Sequence, residues 1–223
     1  RLQSLDNREC FAQLYAKNCF ASIIHKLGYG MNALAIIILA AGKSSRMRGK
    51  DKLTQSVGGA PQIRRIVLAA CDTTPNVFIT LPDAAHPRAS LLLGLKVQIV
   101  PVPEAHLGMG RSIAAGISAL KDPSIQGAMI VPADMPELTQ IDLQTIAQAF
   151  DEKPNAIIQA TTQCGSVGHP VVFPRKTFEQ LKILSGDQGA RSVISTNAQL
   201  WHALPLPYMH AKTDLDTPEE WRE

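Results

Sequence analysis

"ALAIIILA" (33–40) runs without a break into "AGKSSRMRGKDK" (41–52). The first segment is a continuous apolar run of strand length, the pattern of a strand buried on both faces of a parallel sheet. The second holds five cations, Lys43, Arg46, Arg48, Lys50 and Lys52, against one anion, Asp51. Similar apolar runs follow at "NVFITL" (76–81), "VQIVPV" (97–102), "GAMIVPA" (127–133) and "AIIQATT" (156–162). Between them, "PQIRRIVLAAC" (61–71), "PRASLLLGL" (87–95), "GRSIAAGISALK" (110–121) and "IDLQTIAQAF" (141–150) carry apolar residues at three- and four-residue spacing, which predicts helices. This βαβα order predicts an α/β fold, a three-layer α/β/α sandwich around a mostly parallel sheet. Ligands of such sheets bind beyond the carboxyl ends of the strands. Two unusual polar loops start there: 41–52, and "DMPELT" (134–139).

The 223 residues suffice for one domain with a sizeable core, and 45% hydrophobic with 18% charged residues is ordinary for a soluble globular chain. A net charge of +3 is too small and too evenly spread to argue for nucleic acid. The longest apolar stretch, Ala33 to Ala41, is about half a membrane span, so no transmembrane helix is expected. Cys10, Cys19, Cys71 and Cys164 form no CxxC and lie near no histidine at zinc spacing, which argues against a disulfide framework or structural zinc. A cytoplasmic location is the expectation. Residues 1–30 read as an N-terminal extension, helical if ordered, without the pattern of a signal peptide. Residues 31–223 read as the single catalytic domain, and Met31 resembles its natural start.

The "GKS" at 42–44 is no P-loop: a Walker A motif needs glycine five positions before Gly42, where Ile37 stands. "GMG" (108–110) likewise fails as GxGxxG, since Ile113 occupies the last position. The loop still offers the parts that hold a triphosphate. Gly42 permits a sharp turn with an anion-binding nest of N–H groups, Ser44 and Ser45 supply hydroxyls, and Arg46 and Lys52 supply charge. A basic loop of this kind can also be merely solvated, but here the cations cluster at the end of the first strand. Asp134, directly after an apolar strand, is placed either to hold Mg²⁺ beside that loop or to cap the following helix. Asp214 and Asp216 in "TDLDTPEEW" are the other metal candidates, and Asp216 reads equally well as a helix cap.

"LAAGKSSRMRGKDK" (39–52) resembles the signature of MobA-like nucleotidyltransferases, closest to the molybdenum-cofactor cytidylyltransferases. Five more segments fit the family in order: "GMGRSIAAGI" (108–117), "PADMPELT" (132–139), "GHPVVF" (168–173), "GDQGAR" (186–191) and "DLDTPEEW" (214–221). The resemblance implies a Rossmann-like, nucleotide-diphospho-sugar transferase-like fold. It also implies Mg²⁺-dependent transfer of a nucleoside monophosphate from an NTP to an acceptor phosphate, with release of pyrophosphate. A phosphate monoester is largely dianionic at neutral pH and needs no general base. That suits a sequence with no GxSxG elbow and no obvious Ser/His/Asp set. Catalysis is then positioning and charge stabilisation, with Arg46, Lys52 and Asp134 as catalytic residues and Asp134 and Asp216 as metal ligands. The nucleotide is expected along Leu39, Ala40, Ala41, Gly42, Ser44, Ser45, Arg46 and Lys52. Ser112 and neighbouring Arg111 touch ribose or phosphate, or are ordinary first-turn residues.

An Ala-Ala pair at 40–41, where guanylyl enzymes generally have Gly-Gly, implies CTP over GTP. On the acceptor side the resemblance implies His169, Asp187 and Arg191, facing molybdopterin, the molybdenum cofactor; by position alone, His169 is a structural or surface histidine. A recipient molybdoenzyme is a possible partner. Two departures stand out. Lys52 lies six residues after Arg46, closer to the guanylyl spacing, and "LTQSVGGAP" (53–61) replaces a leucine-rich segment. The competing readings are a guanylyltransferase, another NTP transferase of this fold with a different phosphorylated acceptor, and a non-catalytic nucleotide-binding or cofactor-delivery protein.

Overall fold

The structure is a computed structural model that describes residues 33–43, 51–187 and 189–214. The expected extension at 1–30, together with Ser44, Ser45, Arg46 and Asp216, lies outside the described residues.

Seven strands form one sheet. In chain order the strands are β1 (Leu34–Leu39), the small hairpin β2 (Ser56–Val57) and β3 (Ala60–Pro61), β4 (Asn76–Leu81), β5 (Gln98–Pro101), β6 (Gly127–Pro132), β7 (Ile157–Thr161), β8 (Val167–Pro174) and β9 (Trp201–Pro205). The helices are α1 (Gln62–Cys71), α2 (Pro87–Ser90), α3 (Met109–Ala119), α4 (Gln140–Glu152), α5 (Phe178–Lys182) and α6 (Arg191–Thr196). The main sheet has the order β5-β4-β1-β6-β8-β7-β9. All neighbouring pairs are parallel except those made by β8.

Strand β1 is central, and its alternation feeds both layers. Leu34, Ile36 and Ile38 pack with Ile63, Ile66 and Val67 of α1 and Leu143, Ile146 and Phe150 of α4. Ala35 and Ile37 pack with Ile113 and Ile117 of α3, Phe178 and Leu181 of α5 and Val193 of α6. Helices therefore cover both faces, as a fully apolar parallel strand requires.

The sequence expectation left β9, α5 and α6 unassigned, and two further departures bear on the site. The helix expected over 87–95 is helical only at Pro87–Ser90. The residue buried in it is Arg88, and Leu93 stands 75% exposed, so the leucine run has no continuous face to bury. The second departure is β8, whose motif carried no strand assignment. It enters the sheet antiparallel between β6 and β7, with Val171 opposite Ile130. Its first residues therefore lie beside the carboxyl end of β6.

Gly127 opens β6 directly under Phe150: a Cβ there would come within 2.4 Å of the ring. Phe150 is 2% exposed, and Phe150→Ala is expected to cost about 3–5 kcal/mol in urea unfolding. Gly127→Ala should destabilise the wild type but cost much less in the Phe150→Ala background, a coupling that a double-mutant cycle measures directly.

Candidate active site

Beyond the carboxyl ends of β1 and β6 lies a cleft of about 550 Å³. Leu39, Ala40, Ala41, Gly42, Lys52, Ser112, Asp134, Asp187 and Asp214 all line it. A second lobe of about 450 Å³ includes His169 and Arg191 together with Gln159 and Lys212. The two lobes share Met109, Pro132, Asp134, Asp187 and Asp214. The fold thus joins the two ends of the expected site along one wall with three aspartates. Arg111 lines neither lobe and pairs with Glu104 at 3.6 Å on the surface.

The register of the central ladder explains the meeting of the basic and acidic loops. Leu39 pairs with Pro132 in the parallel β1–β6 register, and Ala133 N–H extends the ladder to the Leu39 carbonyl at 3.1 Å. Both chains leave the sheet at the same level. Lys52 Nζ then meets Asp134 Oδ2 at 2.5 Å, with side chains 15% and 22% exposed. Asp134 is not a helix cap. Thr139 caps α4, in a capping box with Asp142.

The backbone along Leu39–Gly42 is unequally engaged. Ala40 N–H donates to the Thr80 carbonyl at 3.1 Å and its carbonyl accepts from Arg88 Nη1 at 2.5 Å, while the Leu39 carbonyl is taken by Ala133. Ala41 and Gly42 lie past these pairs, so a base reading main-chain groups at this edge would meet them first.

Buried polar groups that the sequence did not flag hold the loops. Gln62 of α1 donates Nε2 to the Ala133 carbonyl at 2.9 Å and accepts from Arg65 Nε at 3.1 Å; Arg65 also donates to the Pro136 carbonyl. The turn carrying Asp134 is thereby fixed from outside the cleft. Asp142 Oδ2 accepts from Thr139 N at 2.9 Å and Thr139 Oγ1 at 2.7 Å, and lies 2.9 Å from His210 Nδ1. This ties the end of the acidic loop to the segment that leads into Asp214. The Thr-x-x-Asp spacing of Thr139 and Asp142 is a signal that could have found this cap, whereas a glutamine or arginine within a helical pattern carries no such signal.

His169 is half-buried, but its Nδ1 is fully buried without a hydrogen-bond partner. Burial lowers its proton affinity below the ordinary histidine value; nearby Asp134 opposes the shift and Arg191 adds to it. The ring is therefore poised to stay neutral, with one buried nitrogen left unsatisfied.

A divalent ion fits this donor set in one mode. Among the described residues no three carboxylate, imidazole or thiol groups come together as an all-protein cage. Mg²⁺ commonly needs only one or two carboxylates, completed by substrate phosphates and water. Asp134 and Asp214 on the shared wall suit that role.

Two predictions follow from this geometry. Gly108 has φ +110° and ψ 166°, and a Cβ there would meet Gly186 C at 2.3 Å and Asp187 Oδ1 at 2.6 Å. Gly108→Ala is expected to cost about 1–3 kcal/mol in strain and to move the Asp187 loop, lowering turnover. Gly59→Ala, also at positive φ but in open space, should show strain alone, in parallel unfolding and activity assays. For His169, the unfolded chain takes up the proton first, so stability drops as pH falls below about 6.5. His169→Asn should remove that part of the loss, read as the wild-type minus variant difference in unfolding free energy between neutral pH and pH about 5.5.

The model of the MobA-like NTP transferase domain matches residues 36–202. The purine catabolism protein PucB of Bacillus subtilis (strain 168) is 26% identical over 197 residues, spanning 83% of this chain and 92% of that protein. A probable molybdenum cofactor guanylyltransferase of Nostoc sp. is 29% identical over 199 residues, 85% of this chain and 89% of the relative. Rv0371c from Mycobacterium tuberculosis H37Rv superposes with a TM-score of 0.74 at 21% identity, over 86% of this chain and 97% of that one. The same protein has been solved with manganese and superposes at 0.67, again at 21% identity over 86% and 97%. CMP:2-keto-3-deoxy-manno-octonic acid synthetase, solved with CTP, superposes at 0.65 with 13% identity over 84% of this chain and 95% of that one. These likenesses establish the fold as nucleotide-diphospho-sugar transferase-like. No helix among the described residues is long and apolar enough to cross a membrane. The family match spans well over half of the sequence and includes both loops that meet at Lys52 and Asp134, so the chain belongs to the MobA-like NTP transferase family.

Proposed function

We propose that this NTP transferase moves CMP from CTP to the phosphate of molybdopterin, releasing pyrophosphate, with Mg²⁺ as its cofactor. The observation that carries a two-substrate transfer is the pair of lobes meeting on one aspartate wall. The lobe with Ala40, Ala41, Gly42 and Lys52 receives the nucleotide, and the lobe with His169, Asp187 and Arg191 receives the acceptor. The choice of CTP rests on Ala40 and Ala41, both buried at the cleft floor, whose methyl groups narrow the space for a purine. The name of the Nostoc relative supports the acceptor half of this reading.

In the proposed reaction an oxygen of the acceptor phosphate attacks the α-phosphorus in line, and the bond to the bridging oxygen of pyrophosphate breaks. No proton need be removed, because the attacking monoester is already largely dianionic. Lys52 and Arg46 neutralise the departing pyrophosphate. Asp134 and Asp214 would hold the divalent ion, which would supply Lewis-acid polarisation of the phosphoryl oxygens. Ser112, buried at the start of α3, faces the nucleotide lobe and lends a hydroxyl to ribose or phosphate. Arg191 and Lys212 offer charge to the acceptor's phosphate, and His169, which lines the same lobe and is kept neutral by burial, contacts the neutral part of the acceptor.

The decisive assay is pyrophosphate release by the purified protein with Mg²⁺ and molybdopterin, comparing CTP with GTP. Release with CTP alone supports the proposal. Release with GTP alone would assign guanylyl transfer instead, and silence with both would point to another acceptor or to a binding role. Asp134→Asn is expected to lower kcat by about 10²–10³. An unchanged rate for that variant in Mg²⁺ would remove Asp134 from the mechanism.

A further inference from the structure

Arg88 belongs to none of the family segments in the sequence, yet it is among the most deeply buried charged groups of the described residues, at 2% exposure. Its guanidinium reaches Ala40, which lines the nucleotide lobe, and Asp51, next to Lys52 that also lines it. Nη1 donates to the Ala40 carbonyl at 2.5 Å, at the point where β1 ends. Nε and Nη2 clasp the Asp51 carboxylate at 2.6 and 2.8 Å, one oxygen each. Asp51 in turn organises the residues after it. Its Oδ1 accepts from Leu53 N at 3.0 Å, capping the 3-10 turn Lys52–Thr54, and its carbonyl accepts from Thr54 Oγ1 at 2.9 Å and Gln55 Nε2 at 3.0 Å.

We infer that Arg88 is a positioning residue for nucleotidyl transfer: it locks the backbone that leaves β1 and the turn that presents Lys52 into one frame. Neither lobe of the cleft includes Arg88, so it acts through Asp51 and Ala40 and not on substrate. Three physical points support this. A planar fork can hold both oxygens of a carboxylate and still aim a third donor at a carbonyl, which an ammonium cannot do with one point charge. A flexible lysine contributes to a transition state only when the backbone beneath it is fixed, because a displacement of about 1 Å can cost 10²-fold in rate. Finally, a buried charge persists only with partners of this quality, so the clamp resists local opening of the loop.

The inference rests on the role proposed above for Lys52, and the test separates the two. Arg88→Lys, Lys52→Met and the double variant are compared by kcat and KM in CTP- and molybdopterin-dependent pyrophosphate release, with unfolding measured alongside. Arg88→Lys keeps the charge and loses the fork. It is expected to lower kcat by about ten- to a hundred-fold and to raise the KM for the nucleotide. In the Lys52→Met background the same change should cost less than about three-fold in kcat, because its effect runs through Lys52. Full additivity, or a variant with normal kinetics and lowered stability alone, would overturn the inference. If Lys52→Met itself keeps the wild-type rate, the role of Lys52 fails first and that of Arg88 with it. Should Arg88→Lys not fold, Asp51→Asn breaks the same link from the other side and is expected to give the same non-additivity with Lys52→Met.

Discussion

The parallel ladder between β1 and β6 sets where everything else in the cleft can stand. It runs in register from Leu34–Gly127 to Leu39–Pro132, and the Ala133 N–H to Leu39 carbonyl bond carries it one step past the strands. Because both strands run the same way and stop together, the basic and acidic loops emerge side by side although Lys52 and Asp134 are 82 positions apart. An antiparallel pairing would send one of these loops to the opposite end of the sheet. The same logic explains β8. As an antiparallel strand it begins where β6 ends, so Gly168 and His169 join the edge from which the other loops depart. Parallel β9 returns the chain to that edge again, and Leu206 N–H donates to the Thr161 carbonyl at 2.8 Å just before the segment that reaches Asp214.

Beneath each loop sits a polar group that pins main-chain atoms: buried Gln62 with half-buried Arg65 under 133–136, buried Asp142 under Thr139, and buried Arg88 under Ala40 and Asp51. Such groups add little net stability, since their hydrogen bonds replace ones made to water. Leaving one partner unsatisfied is costly, however, and that asymmetry selects a single loop arrangement over near alternatives. The apolar layers fix the sheet, whereas these few polar contacts fix where its loops point.

This division explains what could be read from the sequence. Strands β1, β4, β5, β6 and β7 and the longer helices are periodic features of the chain and were legible, whereas β8 and β9 were not; the placement of polar loops at strand ends was legible too. Strand direction is not written in an apolar run, so "GHPVVF" alone could not reveal an antiparallel strand. The length of its connection could have: the five residues between Thr161 and Val167 are too few for a parallel crossover and allow only a hairpin. The short α2 was misread because "SLLLGL" has the composition of a buried helix while Leu93 stands in solvent. Arg88, Gln62 and Arg65 were illegible for a different reason. Each binds backbone atoms far away in sequence, and only the folded register says which carbonyl each will find.

The charges along the cleft alternate in a way that bears on the proposed reaction. Lys52 lines the first lobe, Asp134, Asp187 and Asp214 the shared wall, and Arg191 and Lys212 the second lobe. Two phosphorylated substrates approaching this wall from opposite lobes would face carboxylates as well as one another. Unit charges of like sign about 4 Å apart repel by about 4 kcal/mol at an effective dielectric constant of about 20. Transfer therefore requires positive charge at the wall, beyond what lies at either end. Lys52 supplies part of it, already held against Asp134 at 2.5 Å, and a divalent ion on the same carboxylates is the chemical complement that the donor set fits. Each substrate then gains from cations in its own lobe, but the reacting phosphates come together favourably only where the wall is neutralised. In the proposed reaction the Lys52–Asp134 region would then be the point of catalysis, and the outer lobes would choose the base and the acceptor.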